Sequence, residues 1–215
     1  QEVNNCERKE QHEEGKTSGS CHDLYSLFKE ILGSHQGYFR PYYKEWYGLS
    51  IFVRKGIKVI EEGELFVHKE KGFIPVGDSG FHARNIQYVT IDTPHGIRTI
   101  INFHGLWNGK GKTDTEDRLI QSGKILDFTK EVKNPFILCG DFNLLPTTQS
   151  LTMFEEAGLR NLVKEYEVTS TRTSFYTKPD KYADYVFTSP EIKINDFSVL
   201  SHEVSDHAAL FVEFE

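Results

Sequence analysis

Apolar residues return at helical spacing from Leu24 through Leu27, Phe28 and Ile31 to Leu32, which predicts a short helix with Gly33 at its C-terminal cap. Before it, Asn4 to Ser20 is polar and charged and reads as a solvated loop. After it the pattern changes. From Tyr47 to Val67, β-branched and aromatic residues crowd together between glycines, predicting two or three strands. "RNIQYVTIDTPHGIRTIINFHG" is a hairpin, with two apolar runs on either side of the turn residues in "TPHG". "TDTEDRLIQSGKILDFTKEV" reads as a helix with Thr113 or Asp114 as its cap. Its apolar side is Leu119, Ile120, Leu126 and Val132. Pro135 starts a buried strand, "FILCG". A short helix near "TQSLTMFEEAG" stops at Gly158, and strands near "ADYVFTS", "IKINDFSVL" and "AALFVEFE" close the chain.

Helices fall between groups of strands instead of alternating strictly with them. This predicts an α/β protein of two mixed, mostly antiparallel sheets packed face to face, with helices outside. No repeat or linker divides the chain, so residues 1–215 read as a single domain. With 38% hydrophobic and 13% aromatic residues, the composition is that of a globular protein with one sizeable core. The net charge of -7 argues against a broad basic surface that grips nucleic acid regardless of sequence. It leaves room for a local phosphate site. Cys6, Cys21 and Cys139 are the only cysteines. Cys6 and Cys21 can bridge in an oxidising compartment, but an odd count without a CxxC pair favours a reduced, cytoplasmic protein. No stretch is long and apolar enough to span a membrane. We expect a monomer.

The candidate chemistry lies where strands end. Asn102 and His104 close "IINFHG"; Asp141 and Asn143 follow "FILCG"; Asp184 begins "DYVF"; Asp206 and His207 precede the last strand; Glu2 lies at the very start. Taken alone, "GDFN" reads more readily as a turn and His104 as a half-buried histidine, while Asp184 reads as well as a turn cap. Their recurrence at several strand ends changes the balance. Carboxylates without a Cys or His cluster are hard oxygen ligands suited to Mg²⁺ or Mn²⁺. A further Asp can activate water, and two histidines can hydrogen-bond phosphoryl oxygens as charge builds. Arg84, Trp107, Asn108, Lys110, Lys112 and Arg172 are candidates to meet a phosphate or a base, and read more readily as solvated loop residues with Trp107 as a packed lid.

In order along nearly the whole chain, "QEV", "GLSIFVRK", "INFH", an Arg and a Gln in the following helix, "GDFN", "ADYVF" and "SDH" resemble the endonuclease/exonuclease/phosphatase superfamily. The resemblance implies a four-layered α/β/β/α sandwich. It implies Glu2 and Asp206 as metal ligands and His104 as a phosphate contact, with Asn102 supporting that strand end and counted with Arg84 and Trp107 on the substrate side. It further implies Asp141 as activator of water, Asn143 as the amide holding phosphate and nucleophile, Asp184 as the group orienting His207, and His207 as the transition-state stabiliser. Members of the family begin with a strand ending in Asn, which is absent from this chain, so an N-terminally incomplete domain is expected. They also carry Arg or Lys two residues before the "DY" aspartate, where this chain has Tyr182. The expected function is Mg²⁺-dependent phosphoester hydrolysis, first as a nuclease or phosphodiesterase. The alternatives are a phosphomonoesterase acting on a small phosphorylated molecule and a catalytically impaired phosphate-binding relative.

Overall fold

Side-chain alternation along the central strands produces the layers. The computed structural model describes residues 2–5, 23–76 and 81–215. The larger sheet has six strands in the order β4 (Lys58–His68), β5 (Arg84–Thr93), β6 (Gly96–His104), β7 (Phe136–Asp141), β9 (Asp184–Thr188) and β8 (Arg160–Asn161). Only β6 and β7 run parallel. A parallel pair needs a crossover, supplied here by α2 (Glu116–Glu131).

One face of this sheet buries Ile86, Phe103, Leu138 and Phe187 beneath Ile125 of α2 and Phe154 of α3 (Gln149–Glu156). A one-turn helix, α4 (Leu162–Glu165), adds Leu162 and Val163 to the same cluster. The other face presents Val89, Ile91 and Ile100 to Val53, Ile51 and Tyr38 of a second sheet. That sheet is antiparallel, in the order β1 (Glu2–Asn4), β3 (Tyr47–Arg54) and β2 (His35–Tyr43). α1 (Leu24–Ile31) covers its outer side, where Tyr25 and Phe28 meet Phe52. The result is a four-layered α/β sandwich. β10 (Ile194–Val199) and β11 (Leu210–Phe214) form a separate ribbon packed on the larger core through Val212 and Phe214. A cavity of about 710 Å³ lies between this ribbon and Ile51, Ile100, Ile137 and Val186.

Most predicted elements are present, and the departures have physical reasons. β2 escapes the pattern because Gly37 and Pro41 interrupt it. Pro41 sits at a bulge beside Tyr43, where a strand tolerates proline. α2 buries the predicted side only in part: Leu126 is buried and Val132 packs against the core. Ile120 is 51% exposed, while Arg118, Gln121 and Ser122 are buried with Ile125 and Leu126. Arg118 Nε and Nη2 donate to Leu106 O (both 3.1 Å), and Gln121 Oε1 accepts from Leu106 N–H (3.0 Å). The helix therefore spends polar side chains on the loop that follows β6. Asp114 does not cap α2. It accepts from the N–H groups of Gln149 (2.7 Å) and Ser150 (2.9 Å) and from Ser150 Oγ (2.6 Å) at the start of α3. Asp114→Ala should lower stability by about 1 kcal/mol, a drop of roughly 2–4 °C in a thermal melt for a chain of this size. Among the described residues no helix is long and apolar enough to cross a membrane. Cys6 and Cys21 lie outside them.

Candidate active site

His104 ends β6, Asp141 ends β7 and Asp184 starts β9. The register pairs His104 with Asp141, and Asp141 with Asp184. Three polar residues thus stand in one row across adjacent strands, on one face of the sheet.

The chain beyond this row is held by very close backbone packing. Gly105 N–H donates to Asp141 O (2.6 Å). A Cβ on Gly105 would lie 2.1 Å from Phe142 O, and one on Gly140 would lie 1.8 Å from Phe103 O. Both positions therefore require glycine. Phe142 is buried on the helix side against Phe103 (ring centroids 5.1 Å apart), Tyr185 (5.6 Å) and Phe154 (5.8 Å). With Phe142 anchored there, Asp141 and Asn143 turn to the other side and line one pocket of about 290 Å³. Asn143 has φ 55°, a left-handed conformation that asparagine accepts more readily than most residues. Its N–H donates to Asp141 Oδ1 (2.7 Å), and its side-chain amide donates to Gly105 O (3.2 Å).

His207 reaches the row from the loop before β11. That loop is tied to residues 171–174: Ala208 N–H donates to Thr171 O (3.0 Å), and Arg172 and His207 form an isolated β-bridge. His207 Nδ1 donates to the Asp184 carboxylate (2.8 Å to Oδ2, 3.0 Å to Oδ1). Its Nε2 then lies 3.7 Å from Asp141 Oδ2, and His104 Nε2 lies 3.9 Å from the same oxygen. Both separations exceed a hydrogen bond.

Burial sets the electrostatics. Burial, reinforced by the charge of Asp184, pushes Asp141 up to about 7. Burial pulls His207 down, but its hydrogen bond to Asp184 and the charges of Asp184 and Asp141 outweigh this and leave it raised. His104 is held well below the usual imidazole range by burial and the charge of Arg84, and is neutral at pH 7. One row thus carries a carboxylate that titrates near neutrality, a histidine favouring its cationic form and a neutral histidine.

Arg84 and Trp107 line the pocket with Asp141 and Asn143. Asp206 stands at the rim, its side chain 48% exposed, and accepts from Arg172 Nη1 (3.0 Å). Asn102 lies deeper on the same face, between the two sheets. Its amide donates to Ser50 O (3.2 Å) and contacts Gln87 Oε1 (3.4 Å), joining the two sheets. The register that places Asn102 one full repeat below His104 makes it a tie between layers and not a wall of this pocket. Glu2 lies in β1, paired with Leu49; its side chain lies outside the described residues. Arg172 and Lys112 are not solvated loop residues. The Arg172 side chain is 7% exposed, and Lys112 is 4% exposed with Nζ donating to Tyr182 O (2.6 Å). Nothing local in "TSTRTS" marks Arg172 for burial, because its ion-pair partner Asp206 is 34 residues away. Tyr47 and His82 also bound the pocket, and no sequence pattern pointed to them.

Asp141, Asp184 and His207 bring ligand-type atoms within 4.8 Å of one another. Within that group His207 Nδ1 and Asp184 are engaged with each other, so Asp141 Oδ2 is the donor facing the pocket. Asp206 lies on the same pocket, and carboxylate oxygens are the ligands that a hard divalent cation takes.

Two stacked sheets with outer helices, carrying at one end a buried carboxylate, an Asp–His pair and a second histidine, define a protein of the α/β-sandwich class. The chain belongs to the endonuclease/exonuclease/phosphatase family, whose model matches residues 9–207. A mannosyl-6-phosphatase from Bacteroides thetaiotaomicron is similar in structure, with TM-score 0.73 and 21% identity over 90% of this chain and 81% of that one. The sulfate-bound catalytic domain of human Nocturnin gives 0.63 and 19% over 90% and 76%. TDP2 from D. rerio, complexed with a single-strand DNA product, gives 0.64 and 14% over 89% and 81%. At such identities the likeness establishes the fold. No curated protein matches the chain.

Proposed function

We propose that this protein hydrolyses phosphoesters by direct attack of water, with the help of a bound Mg²⁺ or Mn²⁺. The observation that carries the reading is the His104–Asp141–Asp184 row with His207 bonded to Asp184. Asp141 takes the proton as the water oxygen bonds to phosphorus and the bond to the leaving oxygen breaks. Asn143 holds the loop that aims Asp141, and its amide helps place the phosphate. His207, oriented by Asp184, donates from Nε2 to a phosphoryl oxygen as charge builds there. His104, neutral, donates from its own Nε2 to another. At 3.7 and 3.9 Å neither Nε2 is hydrogen-bonded to Asp141. Arg84 and Trp107 contact the substrate.

Asp206 and Glu2 would hold the cation, which when bound withdraws charge from a phosphoryl oxygen. The mannosyl-6-phosphatase and the DNA-bound TDP2 support two classes of ester, small phosphorylated molecules and nucleic acid. EDTA should lower turnover of a phosphoester reporter by about 100-fold or more, and added Mg²⁺ should restore it. Turnover indifferent to EDTA would remove the metal from this reading.

A further inference from the structure

Arg84 is 3% exposed, and among the described residues its Nε and Nη1 have no hydrogen-bond partner. Among the described residues no carboxylate forms an ion pair with it. Its guanidinium lies 4.7 Å from the centre of the Tyr42 ring, a contact that leaves the in-plane N–H groups unmet. A buried guanidinium with unmet donors is unfavourable unless an anion completes it. Arg172 repeats the arrangement. Its Nη1 is spent on Asp206, its Nε is buried with no partner among the described residues, and it stacks on Tyr176 at 4.2 Å. Both arginines line the pocket that holds Asp141. Arg84 opens β5, on the β6 side of the catalytic row, and Arg172 is bridged to His207, on the β9 side. Two cations therefore flank Asp141 in strand order.

We infer that the pocket is built for a terminal phosphate, the dianionic phosphomonoester of a small molecule, anchored by Arg84 with Arg172 as its second cation. This rests on the hydrolase reading above. A monoester carries about -1.5 to -2 charges at pH 7, whereas a diester carries one. A terminal phosphate can enter a 290 Å³ pocket end-on and reach a guanidinium that is 3% exposed. An internal phosphate of a polymer would have to bring chain in on both sides. The overall charge of -7 offers a polymer no compensating hold.

The test uses the full chain. Binding of inorganic phosphate is measured by calorimetry in EDTA, and kcat/KM is measured for p-nitrophenyl phosphate and for its bis-ester. Wild type should bind phosphate and favour the monoester. Arg84→Gln should weaken phosphate binding and lower the monoester-to-diester ratio by about 10- to 100-fold, and Arg84→Lys should recover part of both. Arg84→Gln should melt no lower than wild type, since it removes an unpaired charge. If it fails to fold, Arg172→Gln carries the same comparison of phosphate binding. Preference for the diester, or phosphate binding indifferent to both arginines, overturns the inference. Phosphate binding that depends on Arg84 without turnover of either ester would sink the hydrolase reading and leave the anion grip standing. Turnover without phosphate binding would do the reverse.

Discussion

Asp141→Asn is expected to lower kcat on a phosphoester by about 10²–10⁴-fold while making the metal-free protein more resistant to heat above pH 7. The two effects share one cause. Asp141 is 5% exposed and sits beside Asp184, so burial and a like charge push it up to about 7. A group that binds its proton more tightly when folded contributes stability that is fully present below its unfolded value. That contribution is lost as pH rises through the folded value. For Asp141 the loss runs from about pH 4 to pH 7. Asparagine keeps the shape and an oxygen for the Asn143 N–H, and it cannot ionise. The melting temperatures of variant and wild type in EDTA should therefore diverge with rising pH, the variant ahead at pH 8 and the gap closing near pH 4. Parallel melting curves across that range would mean that burial beside Asp184 does not raise Asp141. Intact turnover in the variant would remove it as the base.

Asp184→Asn and His207→Ala should behave as one lesion. Each single change should lower kcat by roughly 10²–10³-fold. The double variant should be little worse than His207→Ala alone, where independent effects would multiply. The reason is geometric. Asp184 bonds only the far side of the imidazole, through Nδ1, and does not itself line the pocket. Its contribution passes through the orientation and charge of His207. The raised His207 value should fall back in Asp184→Asn, read directly by NMR titration of the ring. A double variant showing the full product of the two losses would give Asp184 a task of its own.

How much of this was legible in the chain can be followed residue by residue. The hairpin ending at His104, the buried strand ending at Asp141 and the strand beginning at Asp184 were readable because apolar runs with turn residues between them leave one acceptable arrangement. Their polar ends came with them. What could not be read was the direction of burial on α2. Arg118 and Gln121 are buried, and Ile120 exposed, because the helix must satisfy the backbone of Leu106. Hydrophobic periodicity carries no information about that demand. Asp114 was legible as a helix cap but not as the cap of α3, since a side chain near one helix start can serve another brought close by packing.

The sequence by itself determined the layered α/β class, the strands that carry His104, Asp141 and Asp184, and the family motifs around them, because all of these depend on spacing within short stretches. Only the tertiary structure decided the rest. Strand register put those three residues in one row and turned Asn102 into a tie between sheets. The contact between residues 171–174 and the last loop delivered His207 and Arg172 to the same pocket. Burial then set the charges, raising Asp141 and enclosing Arg84, which forms no ion pair among the described residues. Long-range pairing and desolvation are properties of the packed chain, and no local window of residues contains them.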